Sequence, residues 1–497
     1  MKVPTMITAT SLAVLALLSN VACEDTLSRR ASPIAANDFI HVDKLRLRDS
    51  SNKLHYLTGI NYWSCMNLAA DTNAGGDHHR FLTELDQLAA AGVNHLRIMA
   101  SSEGSPTPQP FRMKPALQPS PGVYNDKVWV GLDRCLAEMG KRGMRATLTL
   151  NDQWQWSGGF AQYVSWANGN EQYSYPPSWN FSAPPQRSGA PGRGWGSYTT
   201  TGSWADYAAY GNRIYTDRNA EKLFKAHISK VINRRNTVNG RLYKNDATIM
   251  TWQLANEPQP ANQASYSGPY HLQYSPNPSD PLLGWVDRIS TYIRTLAPRQ
   301  LITTGFEGKQ GEWYWKAVHS PRNIDYGTVH CWVQNWGVYD MLNSSSANLE
   351  AAKQFATQFM GNASRWASEV GKPVLLEEFG MARDNWQNNV QAGEYQYASK
   401  ATTSNKDNYF AHIIGLAVNS FKSRKGGFVG SAPWSYGGTY RPESQRQNQF
   451  GMWWAGDPPH EAPGWYDVYD NDEALQIVKR QKVAVDQWIS ANGGRRS

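Results

Sequence analysis

Trp252-Gln253-Leu254-Ala255-Asn256-Glu257-Pro258 is an apolar run that stops abruptly at Asn, Glu and a helix-incompatible Pro. It reads as a buried strand that leaves a carboxylate at its C-terminal tip. A second segment, Lys372-Pro373-Val374-Leu375-Leu376-Glu377-Glu378-Phe379-Gly380, repeats the arrangement further along the chain. Outward from these two, short β-rich runs alternate with stretches of helical periodicity from Leu54 to the C-terminus, the pattern of βα units around a parallel sheet. Strands are expected at 57–62, 93–99, 145–150, 249–255, 301–306, 327–332, 373–379 and 428–434. Helices are expected at 81–91, 128–142, 207–234, 283–296, 349–369 and 409–423, with a last one at 473–489.

Eight such strands fit a closed (β/α)8 TIM barrel. Three stretches, 151–203, 259–280 and 437–470, follow strands and lack sustained periodicity. They read as long βα loops rising from the C-terminal face, where barrel enzymes keep their active sites. The chain has 497 residues, 49 basic against 41 acidic, and a net charge of +8, with no long basic run. A solvated surface is favoured over a nucleic-acid footprint. The aromatic content is unusual, with 21 Trp and 25 Tyr, and flat apolar rings suit the C–H faces of sugars as well as cores.

A tip glutamate taken singly is an ordinary solvated loop residue. Two on nearby strands of one barrel are different, because retaining glycosidases need a carboxylate pair about 5 to 5.5 Å apart. Strand alternation sends Glu377 and Glu378 to opposite sides. Glu378 is therefore expected in the site, with Glu377 a partner or outer-face residue.

The 252–258 and 376–380 segments together resemble glycoside hydrolase family 5, in particular its endo-β-1,4-mannanase branch. The resemblance runs over 39–470 and extends to Gly59-Ile60-Asn61-Tyr62-Trp63, Asn94-His95-Leu96-Arg97-Ile98-Met99, Thr304-Gly305-Phe306-Glu307-Gly308, Val329-His330-Cys331-Trp332 and Gly456-Asp457-Pro458-Pro459-His460-Glu461. It implies Glu257 as acid/base and Glu378 as nucleophile, Asn256 bonding the sugar 2-hydroxyl, and Arg97 keeping Glu378 ionised. It further implies His330 near the acid/base or substrate and Trp434 as the floor beneath the reacting sugar, although a lone His or strand Trp is more often core. Trp332 stands where many members carry a Tyr bonded to the nucleophile; its indole N–H can still donate. Loop aromatics, Trp63 and Trp154 foremost, are candidates for flanking sugar subsites, with loop packing as the alternative. The segment Leu150-Asn151-Asp152-Gln153-Trp154 lacks a His that other branches carry there. In the implied double displacement the pKa of Glu257 must exceed that of Glu378.

The expected activity is hydrolysis of internal β-1,4 bonds in a mannan-type polysaccharide, by a monomer with no metal and no cofactor. The same chemistry would serve an endo-glucanase or a transglycosylase. A catalytically silent carbohydrate-binding protein is the alternative outside enzymes. Residues 1–22, with an apolar run after Lys2, read as a secretory signal peptide, 23–38 as a propeptide or flexible N-terminus, and 39–497 as a single catalytic domain. The protein is accordingly expected outside the cell, with no membrane association beyond that signal. Within 39–497, Cys65, Cys135 and Cys331 allow at most one disulfide. Asn180, Asn343 and Asn362 head N-glycosylation triplets.

Overall fold

The computed structural model describes residues 32–492, except 105–111, 177, 181–196, 200, 262–273, 342, 344, 385–398, 400, 424–425, 445–446 and 462; of 178–180 and 197–199 it describes the backbone alone. The expected signal peptide and residues 23–31 lie outside the described part, as do three glycosylation-triplet residues, Phe181, Ser182 and Ser344.

Eight parallel strands carry the fold: β1 (Leu57–Asn61), β2 (His95–Met99), β3 (Arg145–Thr149), β4 (Ile249–Gln253), β5 (Leu301–Thr303), β6 (Gly327–Cys331), β7 (Val374–Phe379) and β8 (Phe428–Ser431). They pair in the order β5-β4-β3-β2-β1-β8-β7-β6. The remaining seam, between β5 and β6, is closed by the Asp325 N–H to Ile302 O (2.9 Å), the Thr303 hydroxyl to Tyr326 O (2.8 Å), the Thr328 hydroxyl to Phe306 O (2.9 Å) and the His330 N–H to Glu307 O (2.8 Å). All eight expected strands are present, in a (β/α)8 TIM barrel.

Each strand is followed by an outer helix: α1 (His78–Ala90), α2 (Asp126–Lys141), α3 (Arg218–Ile232), α4 (Pro281–Leu296), α5 (Glu312–His319), α6 (Ser346–Val370), α7 (Ser404–Lys422) and α8 (Glu473–Asn492). Their stripes are what 3.6-residue periodicity predicts; α2 buries Val128, Leu132, Cys135, Leu136 and Met139 against the strands. Start signals are local: Asn125 accepts from the Lys127 and Val128 N–H groups, and Asp280 caps α4 with Pro281 in its first turn.

Two expectations fail for physical reasons. The stretch 151–203 is not featureless, since it holds a helix at Gly159–Ala167 and an antiparallel pair, Ser178–Asn180 with Ser197–Thr199. That helix buries Phe160, Ala161, Gln162, Tyr163, Val164 and Ser165, so it is enclosed on nearly all sides and shows no amphipathic stripe. The single helix expected at 207–234 is three pieces, Trp204–Gly211, a 3₁₀ turn at Asn212–Tyr215, and α3, which Asp217 caps.

A small antiparallel sheet, His41–Asp43, Arg46–Arg48 and Leu54–His55, closes the end opposite the long loops. Ile40 and Leu47 pack there on Leu57, Met250, Leu301, Tyr326, Leu375 and Val429, near the N-terminal ends of the barrel strands. The fold reaches back past residue 39: the Ile34 N–H bonds Gly140 O at 2.9 Å and Asp38 pairs with Arg145 at 2.5 Å. Among the described residues no helix is long and apolar enough to cross a membrane.

Cys65 and Cys135 form a disulfide, and Cys331 is free and buried. The bridge spans 70 residues, and a loop of that size restricts the unfolded chain enough to contribute roughly 4 kcal/mol. Replacing both cysteines with Ala is expected to lower the denaturant midpoint accordingly while leaving the far-UV CD spectrum unchanged; an unchanged midpoint would refute the estimate.

Candidate active site

Sheet register brings the polar residues together. Asn61 pairs with Arg97 across β1 and β2, Thr149 with Gln253 across β3 and β4, and His330 with Glu378 across β6 and β7. Paired residues share a face, so these side chains converge inside the top of the barrel.

Arg97 is the hub. Its guanidinium donates to Gln253 Oε1 (2.9 Å), Asn61 Oδ1 (3.1 Å) and Asn256 Oδ1 (2.6 Å), and it contacts Glu378 Oε1 directly. Glu377 lies 3.5 Å from its Nε. The Trp332 indole N–H donates to Glu378 Oε2 at 3.2 Å, a donor where the family resemblance implies a Tyr hydroxyl. Gly380 makes this possible, because a Cβ there would lie 2.6 Å from the Trp332 ring.

Glu257 sits just past β4 with a left-handed φ of 46°, which only a few per cent of non-glycine residues adopt. Its N–H is held by Gly305 O at 3.0 Å, its Oε1 by His330 Nδ1 at 2.6 Å and its Oε2 by the Trp154 indole N–H at 2.8 Å. Glu257, His330 and Glu378 offer ligand atoms that all lie within 4.8 Å of one another. A divalent cation would fit such a spacing, but the Arg97 guanidinium already pairs with Glu378 there.

Glu377 departs from the expected alternation. The β6–β7 register shifts so that Val329 pairs with Leu376 and His330 with Glu378, one residue being skipped. Glu377 therefore also faces inward and is wholly buried, accepting from Gln253 Nε2 at 2.7 Å on each oxygen and from His330 Nε2 at 3.2 Å. It is a partner within the barrel, not an outer-face residue.

Electrostatics reverse another expectation. Burial would lower the His330 pKa, but the charge of Glu378, the hydrogen bonds to Glu257 and Glu377 and the charge of Glu257 raise it to about 10. Both ring nitrogens face carboxylates, which suits the doubly protonated ring. Burial works to raise Glu257, yet the hydrogen bond and charge of His330, the Trp154 N–H and the charge of Arg97 leave it below its ordinary value. Burial, with the charges of Glu257 and Glu377, leaves Glu378 above its own, against His330 and Arg97. These directions run opposite to the order that acid catalysis by Glu257 needs. The proton resides on His330, one hydrogen bond from Glu257.

The aromatic residues divide. The Trp434 backbone N–H bonds Phe379 O at 2.9 Å, and its ring meets Trp332 edge-on at 6.4 Å, beside the carboxylate pair. Trp154, expected against a flanking sugar, donates its indole N–H to Glu257. Trp63 is 2 % exposed, donates to Gly456 O at 2.6 Å and packs edge-on against Trp156 and Trp454. It holds loops together rather than offering a face to a sugar. Trp336 packs on Phe355 and Phe359 of α6.

Several residues escaped the sequence reading: Gln253, which bridges Arg97 and Glu377; Asn61, which bonds Arg97; and Asp152, which accepts from Asn256 Nδ2 at 3.0 Å. Glu307 is also buried, with Gln259 and Gln310 each donating to it at 3.1 Å, and burial and the charge of Glu257 push it up to about 7. Uncharged Asn and Gln next to strand tips carry no signal of their own; only the quoted family segments that contain Asn61, Asp152, Gln253 and Glu307 point to these positions.

A family model described as GH family 5 beta-mannosidase-like matches residues 37–490. A glycoside hydrolase family 5 mannosidase from Rhizomucor miehei superposes with a TM-score of 0.79 at 38% identity, covering 92% of this chain and all of that one; a mutant of it was solved with mannosyl-fructose. Mannan endo-1,4-beta-mannosidase 4 of Oryza sativa subsp. japonica is 26% identical over 82% of this chain and 75% of its own length. Mannan endo-1,4-beta-mannosidase 1 of Solanum lycopersicum is 28% identical over 69% of this chain and 76% of its own. The endo-beta-1,4-mannanase of Thermotoga petrophila, at 18% identity and a TM-score of 0.57, shares the fold.

A group whose pKa is raised on folding, as His330's is to about 10, adds stability that is complete below its unfolded value near 6.5 and lost as pH rises through 10. Thermal midpoints are expected to fall across that window, and less steeply in His330→Gln; parallel profiles for the two proteins would refute the protonated assignment. A mannanase-like glycoside hydrolase is what the matched model, the relatives and the barrel describe, and the chain belongs to the β-mannosidase-like group of glycoside hydrolase family 5.

Proposed function

We propose that the chain hydrolyses β-1,4-mannosidic bonds of mannan-type saccharides by double displacement, with Glu378 as nucleophile and Glu257 as acid/base. The carrying observation is the approach of carboxylate oxygens of Glu257 and Glu378 to within 4.8 Å, which suits the short spacing of retaining enzymes and not the wider gap of inverting ones. Glu378 attacks the anomeric carbon while Glu257, protonated across its hydrogen bond with His330, donates to the leaving oxygen. Glu257 then takes a proton from the incoming water, which attacks the glycosyl-enzyme. Arg97 and the Trp332 N–H hold the Glu378 carboxylate, Asn256 bonds the 2-hydroxyl, and Trp434 lies beneath the sugar.

Cleavage inside the polysaccharide is the sequence expectation, and the curated relatives carry endo names. A second reading, cleavage at a chain end, is favoured by the loop after β8. Burial, then the charges of Glu378 and Glu257, raise the Glu461 carboxyl well above its ordinary range, which puts Glu461 beside the pair. The neighbouring His460 ring lies parallel to Trp156 at 6.4 Å. A wall at that position would shorten the cleft, and the relative that is 38% identical is named a mannosidase. Secretion by a monomer completes the proposal. It is supported by the apolar run after Lys2 and by the Cys65–Cys135 bridge, a bond that persists in oxidising compartments.

Mannohexaose digestion separates the readings: at the first time points an internal cutter releases di-, tri- and tetrasaccharides, an end cutter mannose with mannopentaose. Added acceptor reveals transfer, and carboxymethylcellulose tests glucan. Glu378→Ala is expected to abolish turnover and Glu257→Gln to lower kcat by about 10²- to 10⁴-fold. The first-formed product should retain the β-anomer by NMR; an α-anomer, or normal activity in Glu378→Ala, would overturn the mechanism.

A further inference from the structure

Asp152 lies just past β3, wholly buried and outside every role assigned so far. Its Oδ1 accepts from the Trp154 backbone N–H at 3.1 Å and from Asn256 Nδ2 at 3.0 Å, and its Oδ2 from the Ser157 hydroxyl at 3.1 Å. Trp154 is the residue whose indole N–H holds Glu257 Oε2, and Asn256 is held at its other end by Arg97 Nη2 at 2.6 Å. With Arg97 on its oxygen and Asp152 on its nitrogen, the Asn256 amide has one orientation, because a flip would aim two donors at a guanidinium and an oxygen at a carboxyl. Its second N–H is then left for the sugar.

The backbone around Asp152 is equally fixed. The Phe160 N–H donates to Asp152 O at 2.8 Å, and a Cβ on Gly159 would stand 2.3 Å from that same oxygen. Gln153 N–H bonds Asn256 O at 3.0 Å, and Asn256 N–H bonds Asn151 O at 2.9 Å, so the tips of β3 and β4 are stitched together at this point.

We propose that Asp152 is a positioning residue of the hydrolase, orienting the Asn256 amide toward the 2-hydroxyl of the reacting mannose and seating Trp154 on Glu257. The proposal rests on the hydrolytic reading above and adds to it the group that sets its 2-hydroxyl recognition. Burial pushes the Asp152 carboxyl up to about 8, against its hydrogen bonds from Trp154, Asn256 and Ser157. At neutral pH the group is therefore mostly the uncharged acid, which makes Asn its close mimic: the amide oxygen keeps Trp154 and Asn256, and the Ser157 hydroxyl can turn to accept.

The test compares kcat/KM on p-nitrophenyl β-mannoside and its 2-deoxy analogue. The ratio of the two reads recognition of the 2-hydroxyl and cancels the intrinsic reactivity of the analogue. Asp152→Ala is expected to reduce that ratio by about tenfold or more, the order of one hydrogen bond's contribution, and Asp152→Asn to restore it. A merely structural residue would lower both substrates together and leave the ratio unmoved, which would overturn the proposal. So would an Asp152→Asn enzyme that folds with a collapsed ratio. Asp152→Ser, which shortens the acceptor, gives the same reading if the alanine variant does not fold. Wild-type enzyme inert on both the mannoside and mannohexaose would instead sink the hydrolytic reading itself.

Discussion

A guanidinium taken out of water costs several kcal/mol unless opposite charge and hydrogen bonds surround it, and Arg97 is 4 % exposed. Its compensation comes from distant parts of the chain: Asn61 on β1, Gln253 and Asn256 at β4, and Glu377 and Glu378 on β7. None of these groups is adjacent to Arg97 in sequence, so the cation is tolerable only when the barrel is closed. The active-site charge cluster and the fold therefore depend on each other. Removing Arg97 would leave Glu377 and Glu378 facing each other with His330 as the cation in contact with both.

The same arrangement explains why two acidic neighbours on one strand do different work. Glu377 is saturated by Gln253 and His330 below the rim and, after Glu378 and Glu257, helps to keep His330 protonated. Glu378 has one oxygen on Arg97 and the other near Trp332 and His330, at the level where a sugar would meet it. A carboxylate so placed is held in one orientation without being buried beyond reach, which is what preorganisation of a nucleophile requires.

Much of this was legible before any coordinates. Apolar runs ending in Glu257 and Glu378 located the barrel and its chemistry, because a buried parallel strand needs a continuous apolar stretch and a tip carboxylate interrupts it conspicuously. The helix Gly159–Ala167 was hidden because burial on all sides erases periodicity, and α5 because eight residues give barely two turns of pattern. Glu377 was misdirected by the rule of alternation, which holds only where register is continuous; a skipped residue opposite His330 is a property of the paired strands, and neither strand records it alone. Gln253, Asn61 and Asp152 are common residue types whose meaning lies in what stands across the cavity. Sequence shows charge and hydrophobicity well, and reciprocal hydrogen bonding poorly.

The seam between β5 and β6 is unlike the other seven junctions. It relies on two threonine hydroxyls and two backbone contacts, one below and one above, where the other junctions have paired ladders. Hydroxyl-mediated links tolerate small changes in strand spacing that a ladder does not. The circumference of the cylinder therefore has one adjustable joint, and His330 stands on its rim with Glu257 nearby. Breathing of the barrel would be felt first as a change in the length of the hydrogen bond between those two residues.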